Sequence, residues 1–257
     1  MKRITSRDNP LFKELKRLAG SSPARRRAGK ALLEGVHLCQ AYLARVGAPV
    51  ICLAGASALD QPEVASIAAS LSDDKRVLLD DGLFSAIGQV ENGRAIAFLI
   101  DVPGNLPPAP LDRCSVLLDR LQDPGNLGSI LRSSAAAGIG RIYCSEGTVA
   151  AWSPKVLRAG MGAHFHLEIF EDCKLASLIE HAKVPVIATS PYSRRTLYQC
   201  DLREDVAWIF GNEGSGVASD FGGSIEWIGI PQPGGPESLN VGAAAAVCLF
   251  EQVRQRL

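Results

Sequence analysis

The sequence predicts an α/β protein in two domains. A small α/β sandwich is followed by a larger, mostly parallel sheet with helices on both faces. Three observations carry this reading. Runs rich in Val, Ile and Leu alternate with stretches of helical apolar spacing along the 257 residues, the pattern of strands covered on both faces. The stretch 102–112 holds four prolines and a glycine and can continue neither a helix nor a central strand, so it reads as a linker. In the second half, three Gly-rich loops each join an apolar run to a helical stretch, and loops at strand C-termini are where α/β proteins hold their chemistry.

The first domain is expected over 1–103. Residues 9–18 have helical spacing, with Leu11, Leu15 and Leu18 on one stripe. An extended run at 31–34, a helix at 35–46, a strand at 50–53, a helix at 62–71 and a strand at 77–79 follow. A short helix at 83–87 and a strand at 95–100 complete it. The second domain is expected over 112–257. Its strands fall at 115–121, 141–144, 166–170, 186–189, 206–210 and 225–230, and its helices at 127–137, 154–159, 174–182 and 239–253.

Composition excludes several classes. No apolar run approaches the roughly 18–20 residues of a membrane helix, and the basic N-terminus lacks the apolar core of a secretory signal. The seven cysteines are scattered without a Cys-x-x-Cys pair, which reads as reduced thiols in a cytoplasmic protein with no metal site. Net charge is zero, yet residues 1–35 hold ten basic and three acidic side chains, a local charge of +7. A basic arm of this kind is a footprint for phosphate backbones, with a solvated helix face as its plain alternative. His164 and His166 alternate on a predicted strand, and His37 and His181 fall on predicted helices. With no carboxylate partner evident, all four read as structural or at most as lying near a bound phosphate backbone.

The first loop, Asp123-Pro-Gly-Asn-Leu-Gly-Ser-Ile-Leu-Arg132, follows the run Val116–Asp119. Asn126 sits where an Asn caps the following helix. Arg132 lies within two turns of it, where it serves either as a surface cation or as a group that binds phosphate or a nascent alkoxide. The second loop, Phe210-Gly-Asn-Glu-Gly-Ser-Gly216, exposes backbone N–H groups through its alternating glycines. It is neither a Walker A loop nor a dinucleotide fingerprint, and Glu213 would repel a pyrophosphate. The third loop holds three prolines and two glycines between Pro231 and Val241. Ser238 or Asn240 can cap the last helix, whose Ala243–Ala246 run permits close packing on a neighbour. Each loop read alone is accounted for by a turn or a cap.

Together the loops resemble the three motifs of the SpoU/TrmH branch of the SPOUT methyltransferases. Asn-x-Gly-x-x-x-Arg is met by Asn126, Gly128 and Arg132, and Gly-Asn-Glu-x-x-Gly by Gly211, Asn212, Glu213 and Gly216. Ile-Pro-x-x-Gly followed by Ser-Leu-Asn-Val is met by Ile230, Pro231, Gly234 and Ser238 to Val241. The segment from Pro154 to Ala163 is similar to the stretch between the first and second motifs. The N-terminal half, through Ile4 to Pro10 and Leu33 to His37, is similar to the family's L7Ae/L30e-like substrate-binding extension. Two positions depart: Gln232 stands where Met is usual, bearing on an adenine pocket, and Gly160 where Ser is common.

The resemblance implies a trefoil knot, S-adenosylmethionine (S-adenosyl-L-methionine) as cofactor, and a homodimer with the site near the subunit interface. It implies that Thr189, Gly211, Ile230 and Leu239 line the cofactor site, helped by backbone near Asn212 and Pro231. Arg132 would act on the ribose 2'-hydroxyl, with Asn126, Glu213, Ser238 and Asn240 orienting it and the target nucleotide. The expected activity is methylation of an RNA ribose 2'-hydroxyl. The separate N-terminal domain favours ribosomal RNA over transfer RNA, since the simplest tRNA-acting relatives lack it. A non-catalytic RNA-binding protein would be expected to show degraded cofactor loops, and all three are intact. A metabolic enzyme with a nucleotide cofactor lacks its phosphate fingerprint.

Overall fold

The structure, a computed structural model, describes residues 1–88, 95–103, 107–218, 221, 225–234 and 238–257. Part of the expected linker (104–106) and part of the third loop (235–237) lie outside these residues. The chain forms two compact units, Met1–Gly104 with Trp152–Phe165, and Asn105–Ala151 with His166–Leu257.

The first unit contains β1 (Lys2–Ile4), α1 (Pro10–Gly20), α2 (Ser22–Ala28), β2 (Lys30–Glu34), α3 (Val36–Arg45) and β3 (Ile51–Gly55). It continues with α4 (Pro62–Ala69), β4 (Arg76–Leu79), α5 (Asp81–Ser85) and β5 (Ile96–Asp101). The strands lie in the order β1-β4-β3-β5-β2, with β5 antiparallel to both neighbours and the other pairs parallel. Successive strand residues point to opposite faces, so Leu32 and Leu99 join Phe12, Leu15 and Leu18 in one core. Leu33 and Phe98 join Cys39 and Tyr42 in the other.

The residues expected as a basic arm are folded into β1, α1, α2 and β2. Arg25 is buried and donates to the carbonyls of Leu18 and Ala19, satisfying the C-terminal end of α1. Arg3, Lys13, Arg17 and Lys30 pair with Asp80, Asp8, Glu14 and Asp101. Half of the positive charge is therefore used within the unit.

The second unit begins with β6 (Ser115–Leu118), α6 (Pro124–Ala136) and β7 (Arg141–Ser145). Next in the chain comes α7 (Pro154–Gly160), which packs with the first unit: Leu157 is buried in the core of Leu33, Tyr42 and Phe98, and Phe165 meets Tyr42 edge to face. The second unit resumes with β8 (Glu168–Cys173), α8 (Leu175–Glu180), β9 (Val186–Thr189), β10 (Ala207–Phe210), β11 (Ile225–Ile228) and α9 (Val241–Arg256). Its six strands are all parallel, in the order β11-β9-β10-β6-β7-β8. Leu117, Tyr143 and Ile209 face α8, while Trp208 on the opposite face donates to Gln252 of α9 at 2.9 Å. Both faces are covered, as the Val- and Ile-rich runs require.

The expected strand over 166–170 is corrected at its start. Ala163–His166 is a 3-10 turn, so His164 and His166 do not alternate on a strand. Met161 in the left-handed region (φ 49°) and Gly162 (φ 89°) close α7 and redirect the chain there. His181 follows the last residue of α8 as its cap.

Candidate active site

The two central strands, β6 and β10, are direct neighbours, with Leu118 opposite Phe210. From β6 the chain moves outward to β7 and β8, then crosses to β9 and returns through β10. Connections therefore diverge at this pair, the switch point at which open parallel sheets place ligand sites. The first and second loops leave from these two strand ends. β9 and β11 pair beside them, with Thr189 opposite Ile228, so the loops leaving those strands are adjacent too.

The first loop is braced by side chains. Asp119 is buried, its N–H donates to Phe210 O at 2.9 Å, and its carboxylate accepts from the Arg120 guanidinium and from the Ala218 N–H. Arg120 holds φ 53°, uncommon for a residue with a side chain. Its N–H donates to Ser145 Oγ at 2.8 Å, and its carbonyl accepts from both Gln122 Nε2 and Asn212 Nδ2. The second loop closes on itself: Asn212 and Gly216 exchange backbone hydrogen bonds of 3.0 and 2.8 Å. A Cβ on Gly211 would sit 2.1 Å from the backbone of Gly216 and Val217, so no side chain fits there.

One correction is decisive. Asn126 does not cap α6. Asp123 is the cap, its carboxylate accepting from the Asn126 N–H at 2.7 Å, with Pro124 opening the helix. The Asn126 side chain is thereby released, and it joins the three loops. Its Nδ2 donates to Glu213 Oε1 at 3.0 Å, and its Oδ1 accepts from Asn240 Nδ2 at 2.8 Å. Asn240 caps α9, its Oδ1 accepting from Gly242 and Ala243 N–H. A carboxylate only accepts, so the orientation of both amides follows in turn from Glu213 to the helix end. Glu213 also accepts from the N–H groups of Gln122 and Asp123 at 3.1 and 3.0 Å. Burial raises its carboxyl's pKa, but these donors outweigh it and hold the pKa below the ordinary value.

Thr189, Ser190 and Pro191 form one side of a cleft beside this relay, Ile230 and Gln232 a second, and Ser238, Leu239 and Ala244 the third. No charged side chain lines it among the described residues. The structure thus gathers Asn126, Glu213 and Asn240 in one relay, with Asn212 bound into the adjoining loop. It gathers Thr189, Ile230, Leu239 and Ser238 around the cleft. Gly211 and Pro231 are not among the cleft's lining residues. Arg132 is exposed on α6, with no hydrogen-bond or ion-pair partner among the described residues. Sequence reasoning missed Asp119, Arg120 and Gln122, although polar residues directly after the three apolar residues that end β6 are the signal that marks them. It also missed Ser190 and Pro191, for which Thr189 was the pointer.

The fold and the cleft define an α/β protein with a candidate ligand site at the C-terminal edge of a parallel sheet. Residues 113–250 match the SpoU rRNA Methylase family. The chain is 34% identical over 98% of its length to an uncharacterized tRNA/rRNA methyltransferase of Synechocystis, covering 94% of that protein. It is 30% identical over 97% of its length to the 23S rRNA (guanosine(2553)-2'-O)-methyltransferase of Bacillus subtilis, covering 98% of it. The crystal structure of an AdoMet-bound rRNA methyltransferase from Sinorhizobium meliloti superposes with a TM-score of 0.83 at 25% identity, spanning 100% of this chain and 98% of that one. This chain belongs to the SpoU rRNA methylase family.

Proposed function

We propose that this protein transfers a methyl group from S-adenosylmethionine to a ribose 2'-hydroxyl of ribosomal RNA. The observation that carries the reading is the Glu213–Asn126–Asn240 relay, which ties the three motif loops together beside a cleft lined, among the described residues, by uncharged side chains. The cleft fits the cofactor. S-adenosylmethionine has no phosphates; beside its sulfonium it carries the zwitterionic amino-acid end, and its adenosine part needs apolar walls for the adenine and hydrogen-bonding groups for the polar edges. Ile230, Leu239 and Ala244 supply the first, and Thr189, Ser190 and Ser238 the second. Gly211, Asn212 and Pro231 support the site through backbone. When bound, the cofactor supplies an electrophilic methyl on a sulfonium.

The protein aligns the attacking oxygen and stabilises it as negative charge develops. Arg132 does this. A guanidinium has five N–H donors and no acceptor, and it keeps its proton in proteins, so it stabilises the oxyanion rather than acting as a base. Asn126, Glu213, Ser238 and Asn240 orient Arg132 and the nucleotide. The first unit binds the RNA substrate, and the functional form is a cytoplasmic homodimer with the family's knotted second unit. No helix among the described residues is long and apolar enough to cross a membrane.

The test is a map of ribose 2'-O-methylation across total RNA from cells with the protein, without it, and with Arg132→Ala. One ribosomal 2'-O-methyl is expected to vanish in both altered strains, while purified Arg132→Ala still binds S-adenosylmethionine. Loss of a transfer-RNA mark would reassign the substrate, and a change confined to base methylation would overturn the reaction.

A further inference from the structure

The loop after β9 turns from the cleft directly into solvent. Ser190 and Pro191 line the cleft, and the next residue, Tyr192, is 92% exposed. Among the exposed large apolar side chains of the described residues, only the C-terminal Leu257 is more open. A mobile loop exposes a tyrosine by default, but this loop is braced. Ser190 N–H donates to Ile228 O at 2.8 Å, and its Oγ accepts from the Tyr192 N–H at 3.2 Å. Ser193 Oγ lies 2.8 Å from Trp227 O and 3.1 Å from Arg195 O, so it can donate to either. Gly229 N–H donates to Arg195 O, and Leu197 N–H returns to Gly229 O, both at 2.8 Å. A Cβ on Gly229 would come 3.1 Å from Ser193 O, so the loop lies flat on the edge of the sheet.

The fold therefore holds an aromatic ring open beside the cleft without using it in any core. Its charged neighbours differ from one another. Arg195 is paired with Glu226, whereas Arg194 is exposed and has no ion-pair or hydrogen-bond partner among the described residues. An open ring next to an unspent guanidinium matches a nucleic acid strand, whose bases stack on aromatics and whose phosphates take arginine. Specific recognition of RNA works mostly on single-stranded segments whose unstacked bases lie against aromatic side chains, and a ring at the rim of the cleft offers that support to a base beside the target ribose.

We propose that Tyr192 and Arg194 form a docking point for single-stranded RNA, in which Tyr192 stacks on a base adjoining the target nucleotide and Arg194 holds a backbone phosphate. This rests on the reading of the cleft as the cofactor site of an RNA-acting enzyme.

The experiment compares wild type, Tyr192→Ala, Tyr192→Phe and Arg194→Gln as full chains on a 23S rRNA transcript. Tyr192→Ala is expected to raise the KM for RNA about tenfold or more, the loss of one base–aromatic stack. The KM for S-adenosylmethionine and kcat at saturating RNA stay at wild-type values. Tyr192→Phe keeps the wild-type KM, because the ring face makes the contact. Arg194→Gln raises the KM and flattens its dependence on salt. An unchanged RNA KM in Tyr192→Ala overturns the proposal. So does a parallel loss of cofactor affinity by calorimetry, or a change in sedimenting mass, which would give the ring to the cofactor or to a second copy. If wild type methylates no RNA, the proposed function fails. Fluorescence anisotropy with a labelled single-stranded RNA then decides the docking point: weaker binding by Tyr192→Ala keeps it, and equal binding removes it.

Discussion

Asn126 owes its place in the relay to Asp123. Two residues in the first loop compete for the cap of α6, and the one that takes it loses its side chain to the helix end. Asp123 wins because Pro124 opens the helix, with a preset φ and no N–H to leave unpaired. The sequence contained that clue, since proline favours the first helical position. The reading of Asn126 as the cap passed over it, because Asn and Asp are equally good caps. Glu213 is the fixed end of the relay, and Glu213→Gln tests it. Three donors converge on the carboxylate, and an amide turns one of its two atoms into a fourth donor facing them. The expected result is a fall in kcat of roughly tenfold or more, from losing one charge-assisted hydrogen bond, with the KM for S-adenosylmethionine little changed. Because the folded pKa lies below the ordinary 4.5, the carboxylate's contribution is complete above that value. It fades only as pH falls through the lower folded value. The Gln variant's deficit should therefore be constant from neutral to alkaline pH. A deficit that grows with pH in that range would show that Glu213 does not act as a carboxylate acceptor.

Elements were most legible where periodicity and burial agree. β6, β7, β9 and β10 were expected within a few residues of where they lie, because strands covered on both faces are apolar at every position. β1 and α2 were missed. β1 is three residues of which only Ile4 is buried, and α2 carries three consecutive arginines, so neither shows a hydrophobic pattern. α7 was found as a helix but expected in the second domain, since sequence order carries no information on which core takes Leu157. The structure seats it at 1% exposure among Leu33, Cys39, Tyr42 and Phe98. Leu157→Ala is therefore expected to destabilise the protein by about 2–5 kcal/mol, the range for emptying a buried leucine site. Its location makes the better test. Amide exchange should accelerate in β2, α3 and β5, which are distant in sequence, and stay protected in β7 and β8, which flank α7 in the chain. The reverse pattern would return α7 to the second unit.

At the scale of the whole molecule, a net charge of zero concealed a local excess in residues 1–35, and the fold uses five of the ten basic side chains there, four in ion pairs and Arg25 on the carbonyls that end α1. Lys2, Arg7, Lys16, Arg26 and Arg27 make no ion pair among the described residues and are the cations left for a phosphate backbone. The remaining whole-molecule property is association. Val247 and Phe250 lie three residues apart on α9 and are 36% and 47% exposed, while Ala244, Ala245, Cys248 and Leu249 on the opposite side are buried. α9 packs on α6, the helix that carries Arg132, and Asn240 at its start holds the relay. Nothing in the spacing of Val247 and Phe250 distinguished them from core residues of the same helix, which is why the sequence suggested a dimer only through its resemblance to the family. Covering these two side chains with a second copy would bring that copy against the helix pair that carries Arg132 and the Asn240 end of the relay. Phe250→Glu introduces a charge that has to be desolvated in such a contact, at a cost of several kcal/mol if it stays unpaired. The side chain is already exposed in the single chain, so the fold itself should tolerate it. Sedimentation is expected to show wild type as a dimer and Phe250→Glu as a monomer, with circular dichroism unchanged. Methyl transfer should fall with the dimer fraction and recover as protein concentration rises. A wild-type monomer with full activity would remove the partner from the mechanism and leave Arg132 to act within its own chain.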